Sequence, residues 1–207
     1  SCYYDETNNA LFVGEDTNDR ISYYDSSKNI DTLTGSTSMA YTYMIGTGVA
    51  GTSATAISNP RGMFSDGTYL YEADTNQRVL RFPIPTANTP TANLVLGEVD
   101  FVSNTGGTTT TSQTRFNGAE GVLIVNNRLY VSDDRRIIYF DDPTNLTNTA
   151  PLTSVLGQPN FTTRNTSNNN STLPIAGPLR SLRTDGKRLF GVEGATGGRV
   201  LIFPLFD

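Results

Sequence analysis

The sequence predicts an all-β protein assembled from repeated units of antiparallel strands. Three observations carry this prediction: one strand-turn-strand motif recurs four times, the composition is that of strands and turns, and no segment has helical periodicity. The 207 residues include 19 Gly, 10 Pro, 10 Tyr and 10 Phe. Aromatic residues favour strands, whereas Gly and Pro favour turns. An apolar content of 36% suffices for a core shared among many short strands.

The recurring motif consists of an apolar strand, an acidic turn, an arginine and a second apolar strand. Its copies are "ALFVGEDTNDRISYYD" from Ala10, "YLYEADTNQRVLRFPI" from Tyr69, "RLYVSDDRRIIYFD" from Arg128 and "RLFGVEGATGGRVLIFP" from Arg188. The arginines that begin each second strand are separated by 58, 58 and 63 residues, and they are Arg20, Arg78, Arg136 and Arg199. Glycine markers keep the same period, since Gly97 and Gly157 lie 60 residues apart. Self-similarity at a fixed period indicates a structural repeat.

Each period holds four strand-sized apolar segments, the number found in a blade of a β-propeller. In the second period they are "GMFSD", "YLYEAD", "RVLRFPI" and "NLVLGE", separated by turn sequences. We therefore predict one domain over residues 1–207, a β-propeller of about four blades at 1–46, 47–98, 99–158 and 159–207. The long links after "LGE" and "LGQ" are expected to be pinned by Phe101, Phe116 and Phe161.

The fourth blade is predicted to be incomplete. The strand count is fifteen rather than sixteen, because the fourth period has inner, second and third strands but no outer one. The segment "RVLIFPLF" then forms an open edge that is exposed to pairing with another chain. Three alternatives remain. The chain is part of a propeller with six or more blades, it pairs with a second copy to close a larger ring, or it is a compact four-bladed ring with an unpaired edge.

The composition excludes several classes of function. Histidine is absent, which excludes His-based acid/base catalysis, a Ser-His-Asp triad and every His-ligated metal site. A net charge of −5 without a run of Lys or Arg argues against a nucleic-acid partner. No apolar segment reaches the length of a membrane span. The single cysteine, Cys2, cannot form an internal disulfide.

The repeat also resembles a known family. The segment "NPRGMFSDGTYLYEADTNQRVLRF" looks like the NHL repeat, and "VLGQPNFTTRNTSNNN" is similar to the connector in long bacterial versions of such propellers. The resemblance implies a propeller used mainly as an interaction platform, with related enzymes such as amidating lyases, sugar-lactone hydrolases and strictosidine-synthase-like proteins. The lyase alternative fails because it needs His-ligated metal. A lactonase-like site with calcium needs only oxygen ligands, so it remains an alternative.

Acidic residues recur once per blade at the end of the second strand. These are Asp16, Asp74, Asp133 and Glu193. One hypothesis makes them a ring of carboxylates that holds Ca²⁺ or a cationic ligand at one mouth of the channel. The other has each carboxylate accept hydrogen bonds within its own turn, with the repeated arginines Arg20, Arg78, Arg136 and Arg199 as turn braces. We favour the second, because a residue that repeats in every unit usually serves the unit.

Positions at which the copies differ are the better candidates for a binding site. Arg61, Glu120 and Arg180 precede the first strands of their blades and are expected near the channel mouth. Asp134 and Arg135 form the unusual pair in the shortened third turn.

The sequence thus predicts a non-catalytic, extracytoplasmic binding or assembly module, secreted, periplasmic or on a bacterial cell surface, that presents loops on one propeller face. A protein or small ligand is the expected partner, together with self-association through the terminal blade edge. No cofactor is expected. The alternatives are a lactonase- or hydrolase-like enzyme with carboxylate-bound calcium, and a structural repeat of a surface polymer joined through open blade edges.

Overall fold

The computed structural model describes residues 1–32, 38–105, 112–163, 175, 177–194 and 198–205. Its strands are β1 Cys2–Asp5, β2 Ala10–Glu15, β3 Arg20–Tyr24, β4 Tyr43–Ile45, β5 Gly62–Ser65, β6 Tyr69–Asp74, β7 Arg78–Pro83, β8 Leu94–Leu96, β9 Ala119–Val125, β10 Arg128–Asp133, β11 Arg136–Asp141, β12 Ser154–Leu156, β13 Leu179–Thr184, β14 Arg188–Glu193 and β15 Val200–Pro204. Short 3₁₀ turns cover Asp16–Asn18, Ser26–Lys28, Ile30–Thr32 and Pro143–Asn145. Within these ranges no helix has the length and apolarity that crossing a membrane requires.

The strands form four antiparallel sheets, each built from strands that are consecutive in the chain. Blade 1 is β1-β2-β3-β4, blade 2 is β5-β6-β7-β8, blade 3 is β9-β10-β11-β12 and blade 4 is β13-β14-β15. The predicted all-β, four-bladed propeller is therefore confirmed. In the described part of blade 4, β15 is the edge strand.

Turn chemistry explains where the strands reverse. Between β5 and β6, one carboxylate oxygen of Asp66 accepts hydrogen bonds from the backbone N–H groups of Thr68 and Tyr69, at 2.8 and 2.7 Å. Gly67 between them has a φ of +88°, a conformation that glycine adopts without a steric penalty. The "DG" pair therefore fixes the register in which Ser65 lies opposite Leu70.

The core lies between neighbouring blades rather than within a single sheet. Along each second strand, alternate side chains face the preceding and the following blade. In β6, Leu70 belongs to the cluster shared with blade 1, while Tyr71 and Ala73 belong to the cluster shared with blade 3. A third cluster joins blades 3 and 4 around Ile137 and Leu189. Blades are thus held together by stacking of apolar faces, as expected for a repeat whose units cannot bury both faces alone.

Glycine allows the inner strands to approach one another closely. A Cβ atom on Gly62 of β5 would lie 2.5 Å from the backbone oxygen of Glu120, and one on Gly121 of β9 would lie 3.1 Å from the backbone nitrogen of Leu182. Each distance is shorter than an ordinary van der Waals contact. The repeated glycine therefore brings the starts of β5, β9 and β13 together around one axis.

The predicted anchors of the long links are confirmed. Phe116 is buried in the cluster between blades 2 and 3, and Phe161 packs against the same cluster. Phe101 packs against the cluster between blades 1 and 2. Both Phe101 and Phe161 also accept a hydrogen bond at their backbone oxygen from a repeated arginine. The ends of the links are thereby fixed on the face that carries the β6–β7 and β10–β11 turns.

Candidate functional site at the channel mouth

Each repeated arginine pairs with the carboxylate of its own turn. The Nη2–Oδ2 distance is 3.0 Å in Arg78–Asp74 and 2.6 Å in Arg136–Asp133, and these four side chains are almost fully buried. Arg199 pairs with Glu193, also at low exposure. Arg20 pairs at 2.8 Å with Glu15, where both side chains are partly exposed. The arginines therefore brace the turns between the second and third strands.

Arg78 shows why a guanidinium is used at this position. Its Nε donates to Asp74, its Nη1 donates to the backbone oxygen of Phe101 at 2.7 Å, and its Nη2 donates to that of Ala56 at 2.9 Å. One planar fork thus joins the turn to both neighbouring links. Burial raises the pKa of Asp74, and the attraction of Arg78 lowers it by less.

The first blade requires a correction. The predicted turn carboxylate was Asp16, but the residue that ends β2 and binds Arg20 is Glu15. Asp16 lies one residue further, in an exposed 3₁₀ turn. The longer side chain of Glu15 reaches Ser22 and Asn18 as well. These hydrogen bonds, with that from Arg20 as the largest contribution, lower the pKa of Glu15 to about 2.

The turn carboxylates do not gather into a metal centre in the described part of the chain. There, no group of three or more Cys, Asp or Glu side chains is arranged to hold a metal ion. Asp133 instead accepts hydrogen bonds from the backbone N–H groups of Asn117 and Gly118, and Glu193 accepts one from Gly177. The carboxylates of Asp133 and Glu193 therefore accept these hydrogen bonds from the chain that leads into the first strand of their own blades.

Three of the predicted binding residues do come together. Arg61, Glu120 and Arg180 line one cavity of about 250 Å³ where the inner strands begin, and Arg183 of β13 lines it too. Arg61 and Glu120 each immediately precede the glycine that lets the inner strands approach, and Arg180 precedes Ser181 at the corresponding place in blade 4. Equivalent positions in successive blades meet around the axis, so one residue per blade is brought into a shared site.

The charges at this mouth are unbalanced. Arg180 donates from Nη1 to Oε1 of Glu120 at 2.7 Å, which neutralises that carboxylate. Arg61 has a buried Nε with no hydrogen-bond acceptor among the described residues. Buried polar groups nearly always have partners, and an exception needs an explanation. With Arg183 beside them, the mouth has a local excess of positive charge in a protein whose net charge is −5.

The channel changes character along its length, which the sequence did not reveal. Below the mouth, a cavity of about 300 Å³ is lined by Tyr3, Tyr4 and Phe64 together with Arg183. The opposite mouth, about 580 Å³, is lined by Asp5, Glu6 and Asp66 among others. Asp5 is satisfied by the backbone of Thr7 and the hydroxyl of Ser65, at 3.0 and 2.6 Å. The channel is thus basic at one end, aromatic in the middle and acidic at the other end.

The other two predicted binding residues lie elsewhere. Asp134 and Arg135 are in the β10–β11 turn, where they form an ion pair at 3.6 Å. The backbone N–H of Asp134 donates to Gly118, and its backbone oxygen accepts from Leu179. The backbone oxygen of Arg135 accepts from Gln158 at 2.8 Å. Neither side chain lines the three cavities described above, so this turn connects blades 3 and 4.

Comparison with solved structures bears on the fold of the chain. The β-propeller domain of Cps50 (Swd1) from Myceliophteria thermophila matches 100% of this chain and 53% of its own, at 13% identity and a TM-score of 0.54. The fold is a β-propeller. The computationally designed proteins Ika8 and Ika4 match 99% and 96% of this chain, at 11% and 12% identity and TM-scores of 0.49 and 0.47. These matches cover 45% of Ika8 and 86% of Ika4.

The chain therefore spans about half the length of the Cps50 and Ika8 chains that it matches. No protein-family model and no curated protein matches the sequence. At identities this low, similarity to solved propellers establishes the fold alone.

Proposed function

We propose that this protein is a non-catalytic binding module that holds an anionic group of its ligand at the arginine-bearing mouth of the propeller channel. Two observations carry the proposal: Arg61 lines the mouth cavity, and its buried Nε lacks an acceptor among the described residues. A bound carboxylate or similar oxyanion supplies that acceptor. A guanidinium matches such groups with two parallel hydrogen bonds, which gives both strength and orientation.

The neighbouring charges support an anion over a cation. The mouth holds Arg61, Arg180 and Arg183 against the single carboxylate of Glu120, which is already paired with Arg180. A cation placed there meets three positive side chains, whereas an anion is attracted by them. The cavity is also partly enclosed by backbone of the inner strands, and reduced access of water strengthens these interactions.

The ligand belongs to a protein or a small molecule presented to the face that carries the links. The link before β5 packs on this face, because the backbone oxygen of Ser58 accepts from Thr75 in the β6–β7 turn. We assign the module to an extracytoplasmic location on compositional grounds, since the chain is rich in Thr, Asn and Gly and low in Lys. Loops on a rigid scaffold are the usual place for such binding residues.

The repeats are proposed to be of the NHL type. What supports this is that the motif residues have distinct structural tasks: Gly62 allows the inner strands to approach, and Asp74 pairs with Arg78 at the turn. Gly121, Asp133 and Arg136 repeat those tasks in blade 3. In a true repeat family, each position of the sequence pattern is expected to have the same structural role in every copy.

The proposal is tested by thermal unfolding in the presence of succinate, a small dicarboxylate, against sodium chloride at the same ionic strength. A ligand that binds only the folded state stabilises it by RT ln(1 + L/Kd), where L is the free ligand concentration, and therefore raises the melting temperature. We expect a rise that grows with the logarithm of succinate concentration above the dissociation constant for the wild type, and none for Arg61→Gln. The matched control is Arg188→Gln, which removes the same charge from an exposed pair with Asp185 and retains the rise. An equal response of both variants, or none in the wild type, contradicts the proposal.

A further inference from the structure

Blade 4 presents an apolar face that no described part of the chain covers. Phe190 and Val192 of β14 lie opposite Ile202 and Val200 of β15 in the antiparallel register. Val192, Val200 and Ile202 are 45%, 58% and 55% exposed. Their strand neighbours Leu189 and Phe203 point the other way and are buried against blade 3. The exposed set therefore forms one face of the sheet, which we call the trailing face.

The same positions are buried in the earlier blades. Val200 directly follows the repeated arginine of blade 4. The residues that directly follow the repeated arginines of blades 1, 2 and 3 are Ile21, Val79 and Ile137. Each of these three is fully buried in a cluster shared with the next blade. Likewise, Phe12, Tyr71 and Tyr130 are buried where Phe190 is only partly covered. The trailing face of blade 4 thus has the chemistry of an inter-blade interface.

Blade 1 carries the complementary half. Leu11 of β2 corresponds to Leu70, Leu129 and Leu189, which are fully buried against the preceding blade. Leu11 is only half-buried, as is Tyr24 beside it in the register. We call this surface the leading face. Hydrophobic clusters join blades 1 and 2, 2 and 3, and 3 and 4, but none in the described residues joins blade 4 to blade 1.

The two terminal blades carry opposite net charges. Residues 2–45, which span blade 1, contain seven Asp or Glu and two Lys or Arg. Residues 179–204, which span blade 4, contain five Lys or Arg and two Asp or Glu. Opposite net charges steer the two ends together and disfavour pairing of like ends. The complementarity therefore favours contact between blade 4 and blade 1 over contact between two copies of the same blade.

We propose that the trailing face of blade 4 in one molecule packs on the leading face of blade 1 in a second copy, and that two such interfaces close a ring of two chains. The observations behind this inference, the exposed faces of blades 1 and 4, are separate from those behind the proposed ligand. Head-to-tail interfaces close into rings when the rotation permits, and two copies give eight blades, which lies within the usual range of about four to eight. The sequence predicted self-association at the β15 edge, whereas the exposed apolar side chains of blade 4 favour its face.

Sedimentation velocity across a concentration series tests this on the intact chain. The wild type is expected to sediment as a dimer, and Val200→Lys to raise the dissociation constant by at least about tenfold. The matched control is Val102→Lys, which places the same charge on a valine that is 64% exposed outside either face and leaves the dimer intact. Because Val200 is exposed, unfolding of the variant is not expected, and circular dichroism checks this. A monomeric wild type overturns the proposal, as does equal sensitivity of the two variants.

A mixing experiment distinguishes the head-to-tail arrangement from pairing of two β15 edges. Val200→Lys leaves the leading face intact, and Leu11→Glu leaves the trailing face intact. Mixed in equal amounts, the two variants form one native interface and one in which Lys meets Glu, so dimers return. Pairing of two identical β15 edges predicts instead that Leu11→Glu dimerises by itself and that the Val200→Lys chain stays monomeric in the mixture, so each variant is also measured alone. Failure of the mixture to dimerise, with both variants folded, overturns the head-to-tail arrangement.

Discussion

Asp74 and Arg78 form an ion pair at 3.0 Å in which neither side chain is exposed to solvent. The guanidinium also donates to the backbone oxygens of Phe101 and Ala56, so the desolvated charge is fully hydrogen-bonded. A buried pair of this kind is weak evidence for net stabilisation, but removal of one partner leaves the other charge buried without compensation. The pair therefore holds the turn and the two links in one arrangement.

Arg78→Met is expected to lower the free energy of unfolding by about 3–5 kcal/mol, because Asp74 and two carbonyl groups lose their partner. The control is Arg20→Met, whose pair with Glu15 is partly exposed and which is expected to cost no more than about 1 kcal/mol. Urea denaturation of both variants measures the difference. Equal losses of unfolding free energy in the two variants would show that burial of the Arg78–Asp74 pair has no energetic importance.

Glu72 is a buried acid without a hydrogen-bond partner for either carboxyl oxygen among the described residues. Valine occupies the corresponding place in blades 1 and 3, at Val13 and Val131. Burial raises the pKa of Glu72 well above its ordinary value of 4.5, and the negative charge of Asp74 adds to this effect. We expect Glu72→Leu to raise the free energy of unfolding by about 1–3 kcal/mol at neutral pH.

The pH dependence has a defined sign. A raised pKa means that the folded protein holds the proton of Glu72 more tightly than the unfolded chain does. The contribution is present in full below 4.5, the ordinary value, and is lost as the pH rises toward the folded-state pKa, at up to about 1.4 kcal/mol per pH unit. Urea denaturation from acid to neutral pH is expected to show a shallower decline for Glu72→Leu than for the wild type. The exposed Glu6→Gln serves as control, and parallel curves for Glu72→Leu and the wild type would rule out an unpaired acid.

Gly97 combines a positive φ of +89° with close packing, since a Cβ there would lie 2.3 Å from the ring of Phe116. Gly186 has a similar φ of +84° and nothing within 4 Å. Gly186→Ala therefore measures backbone strain alone, about 1 kcal/mol, while Gly97→Ala adds overpacking of about 1–3 kcal/mol. Thermal unfolding of the two variants is expected to rank them in that order, and the reverse order would refute the packing of the link on blade 2.

Glu120→Gln is expected to tighten binding of succinate at the channel mouth. Its carboxylate neutralises Arg180 at 2.7 Å, and removal of the negative charge leaves that guanidinium available to the ligand. The gain expected for release of a partly exposed pair is about 1 kcal/mol, or roughly fivefold in the dissociation constant. Isothermal titration calorimetry measures it, and weaker binding by the variant would mean that Glu120 itself contacts the ligand.

The sequence was informative wherever the repeat makes equivalent residues meet. Fixed spacing of Arg20, Arg78 and Arg136 predicted the blades, and an equivalent position beside the entry to the first strand predicted that Arg61 and Glu120 lie near the channel mouth. Because the repeat relates each copy to the next, it identifies the equivalent positions that lie around the axis. No other knowledge of the structure is needed for this step.

The features that could not be predicted from the sequence depend on the direction in which strand side chains point and on the length of those side chains. Alternation along β1 and β5 does not say which side chains face the axis, so Tyr3 and Phe64 were not predicted to line the channel. In blade 1 the turn includes a 3₁₀ segment, and the longer reach of Glu15 allows it to replace the aspartate of other blades. Asp134 and Arg135 differ from the repeat because the turn is short, not because they reach the cavity.

Arg61 is proposed to donate its Nε–H to an anion bound at the channel mouth. Nuclear magnetic resonance of the ¹⁵N-labelled protein observes this group directly, through the arginine Nε–Hε signals during titration with succinate. The Arg61 signal, assigned by its loss in Arg61→Gln, is predicted to shift saturably, while those of the buried turn braces Arg78 and Arg136 stay fixed. An unchanged Arg61 signal at succinate concentrations that shift the exposed Arg188 would contradict the assignment of this mouth as the binding site.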